Sequence, residues 1–401
     1  MRSTHMLAGA AAFAALATAA AADPLDIRVR GYVEPELQAF IESGNVSGQR
    51  RWNASVATEV SFESFWDNSN QWIVVKPFAR LDLRDGNRSH ADMREAKYAR
   101  AIDNWEFRIG IDKVFWGVTE AVHLVDIINQ SDFVESIDGE EKLGQPMVMV
   151  STVQEFGTLT GYLLPFFRER TFPGRKGRPA FDIPVDDKQT LYESGAEERH
   201  VDFALRYANT FDIWDVGVGY FQGTNRNPLL LPGLDGGGNP VLVPFYAQAR
   251  RVSTDVQATS GAWLYKFEGF WQEQLNAQHL QATGGIEYTF YGIFDTPSDV
   301  GLVAEYVWDD RGANPQNPFA NDAFLALRWT PNDAASTAVL AGTTVDLDTQ
   351  ALGFSIEAER RFGDDFFVSL EGRFFANVPR TDPLFSYSDD SFLQLRIARY
   401  F

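Results

Sequence analysis

The sequence has 401 residues, of which 35 are Lys or Arg and 55 are Asp or Glu, giving a formal net charge of −20. This balance argues against a nucleic-acid partner, because phosphate binding requires clustered basic side chains. The chain contains no cysteine, which excludes disulfides, a thiolate zinc site and a cysteine nucleophile. We expect no metal and no cofactor.

The first 22 residues are typical of a secretory signal peptide. An uncharged, alanine-rich run covers residues 6–17, Arg2 precedes it, and three alanines end at position 22; this is the order of a signal peptide and its cleavage site. We therefore predict a cleaved peptide at 1–22 and one domain at 23–401. No later stretch approaches the roughly 18 apolar residues that a transmembrane helix requires, so any membrane contact must be made by strands.

The rest of the chain alternates apolar and polar residues with a period of two. In residues 52–64, for example, Trp52, Val56 and Phe62 alternate with polar residues such as Ser55. Successive side chains of a strand point to opposite faces, so one face is apolar and the other polar, whereas a helix would scatter the charges over its apolar face. A soluble β-sandwich stays open, but segments of about ten residues with aromatic ends favour tilted membrane strands.

Eighteen such segments are predicted, with 16 as the alternative count. One of them, 91–101, carries charges on both of its faces. An even count places short turns on one rim and long connections on the other. The predicted fold class is all-β: a transmembrane antiparallel β-barrel of about 18 strands, closed so that no backbone edge meets lipid. The segments are 25–40, 52–64, 71–84, 91–101, 104–113, 147–155, 157–166, 198–208, 211–221, 244–259, 260–273, 278–291, 299–309, 321–330, 335–346, 350–361, 366–376 and 390–401.

The order of motifs in the first half resembles that of a known class of proteins. A strand, an R-E-A motif, a second strand and a W-G motif occur before a long insertion, at Pro77–Asp82, Asp92–Ala96, Trp105–Gly110 and Phe115–Gly117. This order is similar to that of a group of proteobacterial barrels, and the architecture of the mature chain resembles Gram-negative outer-membrane β-barrels of the porin and substrate-selective channel type. The resemblance implies a barrel in the cell outer membrane, surrounded by lipid and lipopolysaccharide, and it implies no particular ligand.

The last residue, Phe401, closes an alternating strand in which Leu393, Leu395 and Ile397 share one face. Many outer-membrane barrels end in this way, and the resemblance implies recognition by the barrel assembly machinery. Arg399 departs from the pattern, because a hydrophobic residue is more usual at that position.

Charged residues of the polar face are predicted to line the pore, because Lys or Arg facing lipid near the midplane costs roughly 2–4 kcal/mol. Opposed charges in a lumen select ions and orient polar solutes. The alternative is a lumen whose salt bridges only hold the wall together. The predicted pore-lining residues are Arg80, Asp82, Arg84, Arg108, Asp112, Asp202, Arg206, Arg328, Glu371, Arg373 and Arg396.

The connection 114–146 is predicted to fold into the barrel as a constriction loop. Apolar residues near helical spacing predict a short helix over 119–129, with Glu120, His123 and Asp126 on its polar side. Loops of this length are usually functional. An external loop that packs on the rim is the alternative.

The connection 167–197 is predicted to be an extracellular loop. It contains a group of basic residues that we predict to form a patch at the mouth of the pore. In an acidic protein such a patch could attract anionic solutes or contact lipopolysaccharide phosphates. A solvated, flexible loop is the alternative. The residues are Arg168, Arg170, Arg175, Lys176 and Arg178.

These features together predict a channel for passive or facilitated diffusion of small polar or anionic solutes. An enzyme is not expected, because no histidine stands in an H-E-x-x-H frame and no serine in a G-x-S-x-G frame. The alternatives are an outer-membrane transporter for hydrophobic compounds or lipids, a structural or adhesive barrel, and a barrel enzyme. The oligomeric state stays open.

Overall fold

The computed structural model describes residues 26–314 and 316–401, so the predicted signal peptide lies outside the described residues. The strands, in chain order, are β1 (Ile27–Phe40), β2 (Trp52–Trp66), β3 (Gln71–Asp82), β4 (His90–Ile102), β5 (Trp105–Asp112), β6 (Gln145–Gln154), β7 (Gly157–Leu164), β8 (Leu191–Tyr192), β9 (Asp202–Phe211), β10 (Trp214–Thr224), β11 (Leu229–Leu234), β12 (Pro240–Tyr246), β13 (Gln248–Ser260), β14 (Trp263–Gln274), β15 (Ala277–Phe290), β16 (Asp299–Asp309), β17 (Asn321–Thr330), β18 (Ala338–Asp346), β19 (Leu352–Phe362), β20 (Phe366–Ala376) and β21 (Phe392–Tyr400).

Eighteen of these strands form one closed antiparallel sheet, and β8, β11 and β12 form a separate small sheet. Closure joins β1 to β21, where Gly31 and Phe401 exchange backbone hydrogen bonds of 3.0 and 3.1 Å. The prediction of 18 strands is confirmed, and the alternative of 16 is wrong. In a closed sheet the backbone N–H and C=O groups of every strand have hydrogen-bond partners. A structure that spans lipid requires this, because the hydrocarbon core contains no water to bind them.

The two faces of the wall differ as the alternation predicts. On β2, Val56 and Phe62 are exposed on the outer surface, whereas Asn53 and Ser55 are buried in the interior. The same division recurs on β9, where Leu205 is exposed and Asp202 is buried. The outer surface is therefore an apolar belt. No helix in the described part of the chain is long and apolar enough to cross a membrane.

A β-bulge explains why the segment 91–101 carries charges on both faces. The register of β3 against β4 shifts between Lys76 and Pro77, which leaves Arg94 opposite no residue of β3. Bulges accommodate proline, which lacks the N–H that a ladder needs. The extra residue turns Arg94 and Glu95 both toward the interior, where each is buried.

The connection between β5 and β6, residues 113–144, lies inside the barrel. Its apolar residues pack against inward-facing side chains of the wall, and the resulting core fills the lumen beside β6, β7, β9 and β10. The core contains Trp116, Val125, Ile127, Ile128, Met147, Met149, Tyr162, Leu164, Ala204 and Phe221. We call residues 113–144 the inserted loop.

Candidate pore constriction

The inserted loop is held by two carboxylates of the wall. Glu268 of β14 accepts a hydrogen bond of 2.6 Å from the backbone N–H of Val118, and Glu305 of β16 accepts one of 2.7 Å from that of Ala121. The other backbone donors are Thr119, Leu124 and Val125 for Glu268, and Glu120 for Glu305. The predicted helix over 119–129 is therefore wrong: these N–H groups bind wall carboxylates rather than carbonyls one turn earlier.

Glu268 is fully buried, and no basic side chain among residues 26–314 and 316–401 lies within ion-pair distance of it. Burial of an isolated carboxylate is costly unless hydrogen bonds compensate it. The loop N–H groups and the hydroxyl of Thr119, at 2.8 Å, supply that compensation. Wall and loop thus stabilise each other. The sequence did not single out Glu268 or Glu305, because alternation identifies an inward carboxylate but not what it binds.

The far end of the inserted loop is held by a second group of contacts. Arg94, turned inward by the bulge, lies 2.7 Å from Asp132, and Thr171 donates to the same carboxylate at 2.6 Å. Burial opposes the ionisation of Asp132, but the His90 ring, whose Nε2 lies 3.7 Å away, and the charge of Arg94 outweigh it and lower the pKa of Asp132 to about 2. Glu135 forms an ion pair of 2.8 Å with Arg80. The loop is therefore fixed at both ends.

Ten of the eleven predicted pore-lining residues take part in ion pairs of the barrel interior. The pairs are Arg80 with Glu36 and Glu135, Asp82 with Arg88, Arg108 and Lys97 with Asp112, Asp202 with Arg226, Arg206 with Asp255, Arg328 with Glu120 and Glu287, Glu371 with Arg373 and Arg396, and Arg373 with Asp138 and Glu357. The arginines of the lumen thus have carboxylate partners, and they do not form an uncompensated basic wall.

Arg84 differs from the other ten residues. Strand β3 ends at Asp82, and the chain then turns over the rim. The guanidinium of Arg84 lies 4.4 Å from the centre of the Trp52 ring, and Trp52 is an exposed side chain of the outer surface. The prediction that Arg84 faces the pore is wrong, because alternation does not extend past the end of a strand.

Two cavities lie between the inserted loop and the wall formed by β13 to β20. The upper cavity, of about 420 Å³, is on the side of the long connections, and the lower cavity, of about 290 Å³, is on the side of the short turns. They share the residues Glu120, Asp138, Glu140, Leu340, Glu357 and Arg373. We call these six residues the constriction. His123 and Asp126, which the sequence placed beside Glu120, line the upper cavity alone.

Carboxylates exceed arginines in the lining of the lower cavity. Its carboxylates are Glu120, Asp138, Glu140, Glu141, Glu357, Glu359 and Glu371, and its arginines are Arg328, Arg373 and Arg396. At the constriction itself, Arg373 bridges Glu357 of the wall and Asp138 of the inserted loop, at 2.6 and 2.9 Å. Arg373 is the one arginine among the six constriction residues, which include four carboxylates, and one of these, Glu120, pairs with Arg328 of the lower cavity at 2.6 Å. In the described part of the chain, no group of side chains is arranged to hold a metal ion.

Glu140 is a carboxylate of the constriction with a raised pKa. Partial burial in the lumen, together with the neighbouring carboxylates of Asp138 and Glu357, raises the pKa of Glu140 to about 7. The side chain is neutral below that pH and negative above it. The charge of the constriction is consequently pH-dependent.

The predicted basic patch is not formed as one surface. Arg175 and Lys176 are exposed, whereas Arg168, Arg170 and Arg178 are engaged inside the loops. Their contacts are Asp92 at 2.8 Å for Arg168, the ring of Phe133 at 4.2 Å for Arg170, and Asp390 at 2.6 Å for Arg178. These three arginines join distant connections, so only two of the five side chains are free at the mouth.

No family model and no curated protein matches this sequence. Solved structures that are similar to this chain include OmpT, an outer-membrane protein of Vibrio cholerae in its trimer form, at 10% identity and a TM-score of 0.46. A mutant form of the porin of Rh. blastica is similar at 12% identity and a TM-score of 0.44. Each comparison covers 94% of this chain and 100% of the other. These likenesses name no solute.

Proposed function

We propose that this protein is a channel of the Gram-negative outer membrane, through which small polar solutes diffuse and in which cations are favoured over anions. The observation that carries the proposal is the pair of adjoining cavities inside a closed barrel, which share a constriction where carboxylates outnumber arginines. The apolar outer belt suits lipid, and the long connections would face the cell exterior.

The preference for cations follows from fixed charge. A constriction with an excess of carboxylates raises the local concentration of cations and repels anions. The sequence-based expectation of anionic solutes depended on the lumen arginines. Because those arginines are paired with carboxylates, we replace that expectation with a cation preference.

The same proposal covers the surroundings of the barrel. Arg175 and Lys176, which are exposed, would contact lipopolysaccharide phosphates. Phe401, 64% exposed at the seam, would be available to the assembly machinery. We assign no catalytic role. A transporter that releases hydrophobic compounds sideways is less favoured, because successive strands are paired all around the described sheet.

Ion selectivity tests the proposal. In planar bilayers separating unequal KCl concentrations, we expect a reversal potential of the sign given by potassium permeation. Glu357→Gln should shift this potential toward chloride, because it leaves Arg373 with one carboxylate fewer. Asp187→Asn, at an exposed carboxylate of the outer loop, is the matched control and should leave it unchanged. A channel that prefers chloride, or a barrel without conductance, contradicts the proposal.

The pKa of Glu140 gives a second expected result. Between about pH 8 and about pH 6, on either side of its pKa of about 7, protonation removes one negative charge from the constriction, so the potassium preference should decrease as the pH falls. Glu140→Gln should abolish this change and keep the low-pH value throughout. The measurement is the reversal potential as a function of pH. If wild type and Glu140→Gln show the same pH dependence, Glu140 is not the titrating group.

A further inference from the structure

Most charged side chains of the interior have an oppositely charged partner, but several that line the upper cavity do not. On one side stands Arg251 of β13, and on the other stand Asp322, Asp346 and Asp382. Among the described residues, no carboxylate lies within 4.0 Å of the Arg251 guanidinium and no basic side chain lies within 4.0 Å of these three carboxylates. One cavity thus contains unneutralised charges of both signs.

The basic side is built from neutral contacts. Arg251 is 5% exposed, and its guanidinium donates to Oε1 of Gln272 at 2.5 and 2.8 Å and to the carbonyl of Leu124 at 3.0 Å. It also lies 3.9 Å from the centre of the Phe270 ring. Arg226 lines the same cavity and is 3% exposed; its Nη1 atom pairs with Asp202 at 2.7 Å, whereas its Nη2 atom has no hydrogen-bond partner. Buried guanidinium groups normally gain a carboxylate or phosphate.

The acidic side is formed where β17 and β18 meet. Asp322 and Asp346 are Cα partners in the ladder between these strands. The connection between β20 and β21 adds Asp382, which accepts from the hydroxyl of Thr349 at 3.2 Å. Each of the three carboxylates also accepts from loop N–H groups, with shortest distances of 2.8, 2.7 and 2.8 Å for Asp322, Asp346 and Asp382. These bonds position the carboxylates but bring no positive charge.

The distance between the basic side and the acidic side of the cavity sets the length of solute that can contact both. From β13 to β17 there are four steps between neighbouring strands, or about 19 Å along the wall at about 4.8 Å per step. Side chains that project inward shorten this gap, but no basic side chain among the described residues lies within 4.0 Å of the three carboxylates. Gln272, His279 and Gln281 lie between the two sides, and Phe270 and Phe324 add apolar surface. A free amino acid, whose charges are adjacent, is too short to reach both.

We propose that the upper cavity binds zwitterionic solutes whose ammonium and carboxylate ends are separated by several bonds, with short peptides as the class that fits. The carboxylate would contact Arg251, and the ammonium would contact Asp322, Asp346 and Asp382. This inference deepens the proposed channel function and depends on it. Binding on the way to the constriction would favour such solutes over others of equal size.

The test uses unmodified channels in planar bilayers. Triglycine is expected to interrupt the potassium current in a saturable manner. Acetyl-triglycine lacks the ammonium, triglycine amide lacks the carboxylate, and each should bind at least about tenfold more weakly, since one lost charge contact of ordinary strength changes affinity by about that factor. Glycine should also bind more weakly. Equal binding of triglycine and both capped forms overturns the inference.

Two variants test which side of the cavity binds the carboxylate end of the peptide and which side binds the ammonium end. Arg251→Gln should remove the difference between triglycine and triglycine amide, and Asp322→Asn should reduce the difference between triglycine and acetyl-triglycine. Arg175→Gln, at an exposed arginine of the mouth, is the control and should change neither. If a variant fails to insert into the bilayer, the comparison of triglycine with its capped forms on the wild-type channel still tests the inference. A conducting barrel without discrimination refutes only this inference, whereas a barrel without conductance refutes the channel itself.

Discussion

Deletion of residues 119–141 should increase the single-channel conductance severalfold and remove most of the preference for potassium. This segment supplies Glu120, Asp138 and Glu140 to the constriction, and it separates the upper cavity from the lower. Without it, the passage is limited by the barrel wall, which for 18 strands encloses an aqueous channel. Conductance and reversal potential in planar bilayers measure both effects.

The design of the deletion has to respect the wall carboxylates. The deletion removes the hydrogen bonds that Glu268 accepts from Thr119, Leu124 and Val125, and those that Glu305 accepts from Glu120 and Ala121. An uncompensated buried carboxylate is costly. The deletion should therefore be combined with Glu268→Gln and Glu305→Gln. A protein with these two substitutions and an intact loop is the matched control. Its single-channel conductance should increase less than that of the deletion variant. Its current noise should increase, because the loop is held less firmly. Unchanged conductance after the deletion would show that the loop does not narrow the passage.

The strands were predictable because the membrane imposes a rule on each of them. In a closed barrel every strand has one lipid face and one lumen face, so residues such as Val56 and Ser55 must alternate. The even strand number and the separation of short turns from long connections follow from the same geometry. Only local information is needed for these inferences, since the period of two is visible within any segment of ten residues or so.

The conformation of the inserted loop was not predictable, because its partners are distant in sequence. The backbone N–H of Val118 binds Glu268, 150 residues away. The apolar residues of 119–129 near helical spacing pack instead as an irregular segment against the wall. Arg178 shows the same limitation: it belongs to a basic stretch in the sequence, but it pairs with Asp390, 212 residues away. The sequence shows which charged side chains are present, but only the folded structure shows which of them are paired with an opposite charge.

The charge of the pore illustrates a related limit. The predicted polar-face arginines, with the exception of Arg84, form ion pairs in the barrel interior. Their effect on selectivity depends on pairing, as with Arg373 and its partners Glu357 and Asp138. An arginine held by carboxylates contributes little net attraction for anions. The pairing is a property of the closed barrel, and the proposed cation preference depends on it.

Glu36→Ala is expected to cause the largest loss of stability of any single substitution considered for this barrel, about 3–5 kcal/mol in the free energy of unfolding. Glu36 of β1 is 4% exposed and pairs with Arg88, Arg80 and Arg396, at 2.5, 3.2 and 3.4 Å. Its removal leaves these three guanidinium groups near one another with less compensation. The site lies at the seam, where Glu36 and Arg396 are Cα partners between β1 and β21.

Denaturant unfolding in lipid vesicles, followed by tryptophan fluorescence, measures this loss. Glu273→Ala is the matched control, because Glu273 of β14 forms an exposed pair with Arg250 at 3.9 Å. Exposed pairs of this kind contribute about 0–1 kcal/mol, so the control should unfold close to wild type. Glu36→Gln keeps the size of the side chain but loses its charge, and it should fall between wild type and alanine. If Glu36→Ala is no less stable than Glu273→Ala, the buried ion pairs do not hold the seam, and closure depends on the backbone ladder alone.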